Sequence, residues 1–173
     1  MNRLLTALVV AVLGCATFTF GAVAQEKANS NRLNLPELKK MVDGMGYETK
    51  MNGEKSFEFR VRVDNLTAYV AMNLSPDGSN IWFESDLVPI KEPEKAPAKA
   101  WFDLMSENNK IGPSHFAYCQ TAKCLFLYRP MPNQDMTPAR IREQLDLFTR
   151  TIRDTSRLWD RTNFQQTAAV AAK

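Results

Sequence analysis

Between Ser56 and Leu87 the chain alternates apolar and polar residues through three successive runs, and this stretch constrains the fold more than any other. Phe57, Phe59, Val61 and Val63 interleave with Glu58, Arg60, Arg62 and Asp64, the period-two pattern of a strand with one buried and one wet face. After the turn-forming pair Asp64-Asn65, Leu66, Ala68, Val70, Met72 and Leu74 repeat the alternation against Thr67, Tyr69, Ala71 and Asn73. Ser75-Pro76-Asp77-Gly78 supplies a preset φ and a glycine for positive φ, and Asn80 to Leu87 returns as a third strand. The pattern predicts an antiparallel meander.

The elements around the meander follow from caps and breakers. Asn34 with Glu37 resembles a capping box, Pro36 suits a first turn, and Leu35, Leu38, Met41, Val42 and Met45 share one helical face. Gly44 and Gly46 end that helix. Val88 to Lys99, with Pro89, Pro93 and Pro97 among charged residues, reads as a connector, and Pro97 opens a short helix to Asn108 carrying Trp101, Phe102, Leu104 and Met105. Ser114 to Arg129 reads as a hairpin around Gln120–Lys123. Thr137 and Pro138 start the longest helix, with Ile141, Leu145, Phe148, Ile152 and Trp159 on one face. The expectation is an α+β domain over residues 34–161, a five-stranded antiparallel sheet in the order α-β-β-β-α-β-β-α. Residues 25–33 read as a flexible tether and 162–173 as a disordered tail.

At 173 residues one core is the default, burying roughly 70% of the unfolded surface. The 22 Lys and Arg against 19 Asp and Glu leave a net charge of +3, too small a bias to select nucleic acid as a partner. Met1-Asn2-Arg3 is basic, Leu4 to Val23 is almost wholly apolar, and Ala22-Val23-Ala24 is a small-x-small cleavage pattern. These features predict a signal peptide over residues 1–24, a periplasmic or secreted location, and no stable membrane insertion after cleavage. An uncleaved span and a lipoprotein anchored at Cys15 are the alternatives, the latter from Val12-Leu13-Gly14-Cys15. The apolar run after Cys15 and the poor fit of Leu13 favour cleavage after Ala24.

The order of elements from Asn34 to Arg161 resembles the type III secretion chaperone-like fold, which includes class I secretion chaperones and the YbjN-like family. The nearest local match is Leu104, Asn108, Ile111, Gly112, Pro113 and Phe116, continuing through the hairpin to Pro132 and the Thr137-Pro138 helix start. The resemblance implies protein binding, usually as a dimer, with no catalytic residues to transfer. Two departures stand out. Secretion chaperones act in the cytoplasm whereas this chain begins like an exported protein, and its proline-rich connector replaces a compact link.

Chemistry-bearing constellations are few. His115 is the only histidine, which removes histidine triads, dyads and two-histidine metal sites, and no phosphate-binding or dinucleotide fingerprint is present. No catalytic residue, metal ligand or cofactor is therefore expected. Carboxylate pairs such as Asp103 with Glu107 and Glu143 with Asp146 are ordinary on solvated helices. Arg150, Arg153, Arg157 and Arg161 form a stripe, but Asp146 and Asp154 stand at pairing distance from Arg150 and Arg157.

The hairpin is more informative. With Cys15 removed, Cys119 and Cys124 make the cysteine count even, and pairing them places Tyr118 opposite Leu125, Ala117 opposite Phe126, Phe116 opposite Leu127 and His115 opposite Tyr128. A structural disulfide is expected in an oxidising compartment. Phe116, Tyr118, Leu125 and Leu127 then face the core, and Phe126 and Tyr128 lie on a second apolar face, either a docking surface or covered by the chain's own helices. Phe126, Tyr128, Trp101 and Phe102 are the candidate partner surface. The expected function is an exported, non-enzymatic domain that binds a protein or peptide client. A YbjN-like regulatory or sensory module and an unrecognised hydrolase are the alternatives. Trp101, Phe102, Leu104 and Met105 exceed what one narrow helix face can bury, so a homodimer built partly on that helix is expected.

Overall fold

The computed structural model describes residues 31–165. Helix α1 (Leu35–Gly44) starts as the sequence predicts: the Asn34 N–H donates to Glu37 Oε2 and the Glu37 N–H to Asn34 Oδ1, each at 2.9 Å. Strands β1 (Lys50–Asn52), β2 (Ser56–Val63), β3 (Leu66–Leu74) and β4 (Asn80–Pro89) follow. Then come α2 (Ala98–Asn108), β5 (His115–Cys119), β6 (Cys124–Pro132) and α3 (Pro138–Asp154). The sheet is antiparallel with strand order β1-β2-β3-β4-β6-β5.

That sheet has six strands rather than the expected five. The extra strand is β1, whose three residues are all exposed and so carry no alternation to read. Its backbone nonetheless pairs with β2, Met51 opposite Phe57.

The core occupies one side of the sheet. Phe57 and Phe59 of β2, Val70 and Met72 of β3, Ile81 and Phe83 of β4, and Leu125 and Leu127 of β6 pack with residues from all three helices. Leu38 and Val42 come from α1, Ala100 and Leu104 from α2, and Ile141, Leu145, Phe148 and Ile152 from α3. The Phe83 and Phe148 rings, both fully buried, lie 5.9 Å apart. Because side chains alternate along a strand, a single residue out of step would turn the end of β4 over. A β-bulge between Asp86 and Val88 absorbs Leu87 and returns Val88 to the core, opposite Leu125. The strand thereby continues to Pro89, into the segment expected to be connector.

The domain margins differ from the expectation at both ends. Residues 31–33 are fastened rather than tethered: Asn133, fully buried, donates through Nδ2 to the Leu33 and Gly78 carbonyls and accepts from the Leu33 N–H. Residues 25–30 lie outside the described residues. Helix α3 ends at Asp154, so Trp159 falls in the following turn, where its indole N–H donates to Thr155 Oγ1 at 3.3 Å. Arg161–Phe164 form a short 3-10 turn, and Phe164 is buried against Trp101. An apolar anchor thus holds part of the presumed tail, and residues 166–173 lie outside the described residues. The expected pairings of Arg150 and Arg157 do not form among the described residues. Arg153 meets Asp154 at 2.8 Å and Asp64 at 3.5 Å instead.

Candidate functional site

Since the core takes one set of alternating positions, the other set lines a second sheet face that no helix covers among the described residues. The ladders fix its layout. One row crosses the sheet through Lys50, Glu58, Ala71, Glu84, Tyr128 and His115. Beside it lie Asn73, Trp82 and Pro130 in one row, and Asp86, Phe126 and Ala117 in the other.

The β4–β6–β5 end of this face is aromatic. Tyr128 stacks between His115 and Phe126, with ring centroids 5.7 Å away on either side, and Trp82 meets Tyr128 and His115 edge-on at 6.3 and 6.2 Å. Such offset and edge contacts are favourable arrangements of aromatic quadrupoles. A shallow groove of about 410 Å³ runs over Trp82, His115, Ala117 and Tyr128, with Asn73 and the Ser75-Pro76 turn at its rim. The turn is held by Asp77, whose carboxylate accepts from Ser75 Oγ and from Ser79 N–H and Oγ, which keeps its pKa well below the usual carboxylate range.

Toward β2 the same face becomes acidic. Glu58, Glu84 and Asp86, with Ala71 between strands, line an adjoining groove of about 400 Å³. Glu84 walls both grooves and accepts one hydrogen bond, from Asn73 Nδ2 at 3.2 Å. Burial, then the neighbouring Asp86, raise the Glu84 pKa, and burial with Glu58 nearby raises that of Asp86. Burial and the opposing Glu84 push the Tyr128 phenol up to about 12, so it stays a neutral donor at physiological pH.

The structure divides the predicted partner surface. Phe126 and Tyr128 share the sheet face away from the core, Tyr128 half-buried and Phe126 buried, whereas Trp101 and Phe102 belong to α2 on the core side. Trp101 turns inward, edge-on to Tyr118 at 5.7 Å and Phe164 at 5.5 Å. Phe102 points outward and is 64% exposed, beside Met105 at 63%. Trp82, Glu58, Glu84 and Asp86 were not anticipated. The signal was present in the register, since Trp82 occupies a wet position of the alternation and extending the ladder from β4 to β6 sets it near Tyr128. His115, the chain's only histidine, is part of the aromatic stack.

The cysteine register holds, with Cys119 opposite Cys124, and the two sulfurs are not bonded to each other in this structure. Cys124 Sγ is turned toward the Val88 and Leu125 carbonyls, 3.4 Å from each, and Cys119 Sγ accepts from the Ala122 N–H at 3.5 Å. Among the described residues no group of His, Cys, Asp and Glu side chains is arranged to hold a metal ion, and no helix is long and apolar enough to cross a membrane.

No family model and no curated protein sequence matches the chain. Solved structures similar in fold include chains of three complexes. A chain of the ExsC-ExsE complex shares 17% identity at a TM-score of 0.46, over 59% of this chain and 75% of that one. A chain of the heterodimeric ExoU-SpcU complex from the type III secretion system of Pseudomonas aeruginosa shares 12% identity at 0.49, over 70% and 96%. A chain of the HopA1-SchA chaperone-effector complex shares 9% identity at 0.49, over 69% and 90%. These neighbours run against one expectation: type III secretion chaperones are cytoplasmic, which conflicts with the periplasmic or secreted location and the Cys15 anchor. At these identities and scores the likeness is one of fold, similar to that of type III secretion chaperones.

Proposed function

We propose that this chain is a non-enzymatic protein- or peptide-binding domain of the secretion chaperone-like fold, working as a homodimer. The observation that carries the reading is the uncovered sheet face. Three helices pack against one side of the sheet, while Trp82, His115 and Tyr128 form an aromatic surface on the other, with Phe126 buried beside Tyr128. An aromatic groove at the surface of a folded domain is a site for another molecule's apolar side chains, and an extended segment is the ligand that a sheet face most readily admits. The lone histidine is engaged in that stack, and no nucleophile-base pair accompanies it there. The outward Phe102 and Met105 on α2 support self-association on the opposite side, leaving the aromatic face open for a client. The YbjN-like resemblance is compatible with the same surface serving a single regulatory partner.

Site-specific photo-crosslinking separates the two surfaces. A benzophenone amino acid at position 128 is expected to give adducts with a different polypeptide, and one at position 102 to give an adduct of twice the chain mass. Self-adducts alone at position 128 would remove the client reading.

A further inference from the structure

We infer that the open sheet face selects an extended segment carrying a basic side chain near an apolar one, the cation lying among Glu58, Glu84 and Asp86 and the apolar group on Trp82, His115 and Tyr128. This rests on the reading of that face as a polypeptide-holding surface and names what it prefers.

The argument begins with what the carboxylates lack. Among the described residues, Glu58, Glu84 and Asp86 form no ion pair with Lys or Arg. The nearest cation candidates are otherwise placed: Arg60 lies with its guanidinium 5.3 Å from the Tyr69 ring centroid, and Lys50 stands opposite Glu58 on the edge strand without closing on it. Glu58 and Glu84 are half-buried and Asp86 is exposed beside them; a half-buried carboxylate without a counter-charge is costly, and a third carboxylate nearby adds to the cost. Such a cluster is relieved when a ligand brings the missing cation. A metal ion is a poor candidate, since these groups are spread over two strands and do not converge as ligands would. The chain's formal charge of +3 does not attract cations as a whole, so a preference for one must come from this face.

The second half of the argument is continuity. Glu84 walls both the aromatic and the acidic groove, and Ala71, a small residue opposite it, keeps the floor low between Glu84 and Glu58. Tyr128 and Glu58 stand in one row three strands apart, about 14 Å at the usual strand spacing. Same-side residues of an extended peptide repeat every ~6.7 Å, so an apolar residue and a Lys or Arg two to four positions away span the distance. A guanidinium or ammonium entering there also meets the electron-rich face of Trp82 or Tyr128.

The test uses the full chain and three capped ten-residue peptides, alternating leucine with arginine, with citrulline or with glutamate. Citrulline keeps the shape of arginine without its charge. Titration calorimetry, with the Trp82 indole and Ala71 amide followed by NMR, is expected to show the arginine peptide binding about tenfold more tightly than the citrulline peptide, the scale of one charge-assisted contact. The glutamate peptide is expected to be weakest. In the Glu84→Gln, Asp86→Asn double variant the arginine advantage is expected to vanish, the arginine and citrulline peptides binding alike, and an unaltered melting temperature or a higher one shows that the fold persists. Equal binding of arginine and citrulline peptides, or an arginine advantage that survives the double variant, overturns the inference and leaves the polypeptide-holding reading intact. Binding of none of the three peptides overturns both.

Discussion

Cys119 stands directly opposite Cys124 in the β5–β6 ladder, yet the two sulfurs are not bonded to each other in this structure. The two are unequal. Cys124 is buried, with its thiol pKa raised by burial and then by Asp86, whereas Cys119 lies half-buried beside the hairpin loop. The register that would permit a bridge is therefore set by the strands themselves, through Tyr118 opposite Leu125 and Phe116 opposite Leu127.

Native-state alkylation is expected to modify Cys119 and spare Cys124, because the thiolate is the reactive form and Cys124 is both shielded and held protonated. Peptide mapping after a brief iodoacetamide pulse reads the difference, and denaturant is expected to open both sites. A mild oxidant is expected to close the pair within one chain, adding roughly 2 kcal/mol on the loop-entropy estimate for so short a loop. Equal native reactivity at both cysteines would contradict the burial assigned to Cys124.

Arg129 supplies a second test because it occupies a core position. It lies between Leu127 and Met131 in the inward alternation of β6 and is 7% exposed, with burial lowering its pKa. Gln144 Oε1 accepts from its Nε at 3.1 Å and Nη2 at 2.9 Å, and Ser114 Oγ accepts from Nη1 at 3.1 Å. No carboxylate of the described residues pairs with it. Gln144→Ala removes two bonds to a buried charge and is expected to cost about 1.5–3 kcal/mol in urea unfolding. Adding Arg129→Met to that variant is expected to restore part of the loss, since an apolar side chain of similar length removes the buried charge and leaves only the Ser114 hydroxyl without its partner. A neutral Gln144→Ala would mean that water replaces the amide at no cost.

The meander was legible because its burial is written in period two, and the hairpin register because one pairing fixes all the others. Phe57, Val70 and Phe83 are inward and Glu58 and Glu84 are not, as alternation demands. Three things escaped for physical reasons. Lys50–Asn52 pair through backbone alone, so their side chains carry no trace of it. Arg129 breaks the hydrophobic rule because Gln144 and Ser114, distant in sequence, satisfy it. The site escaped in part: the hairpin register set His115 and Tyr128 on one face, but Trp82 and Glu84 join them only because β6 pairs with β4, a neighbour distant in sequence.

Glu84 makes stability depend on pH in a stated direction. Its folded pKa is raised above the ordinary value of 4.5, so the folded protein binds that proton more tightly than the unfolded chain. Ionisation therefore costs stability, fully at pH above the raised value and not at all below the unfolded one. Glu84→Gln is expected to be more stable than the parent at neutral pH, the advantage shrinking through mild acid and gone below about pH 4. Urea midpoints at a series of pH values read it, and an advantage that grows toward acid would reverse the assignment.

The homodimer is tested on α2, where burial sorts the apolar residues into two groups. Ala100 and Leu104 face the core and Trp101 packs on Tyr118 and Phe164, which leaves Phe102 and Met105, one helical turn apart, 64% and 63% exposed. Isolated apolar side chains on a surface are ordinary, but two large ones stacked along an 11-residue helix form a stripe that a two-fold axis would bury against itself. Lys99 and Asp103, paired at 2.6 Å on the same helix, would lie at the polar rim of such a contact. Sedimentation equilibrium of the parent is expected to return twice the 19.6 kDa chain mass. Phe102→Glu with Met105→Glu is expected to return the monomer with an unchanged circular dichroism spectrum, because neither side chain contributes to the core. Each glutamate would place a charge against its symmetry mate, so dissociation follows from repulsion as well as from lost apolar burial. A parent that is monomeric at tens of micromolar, or a double variant that stays dimeric, would move the self-association surface off α2 or remove it altogether.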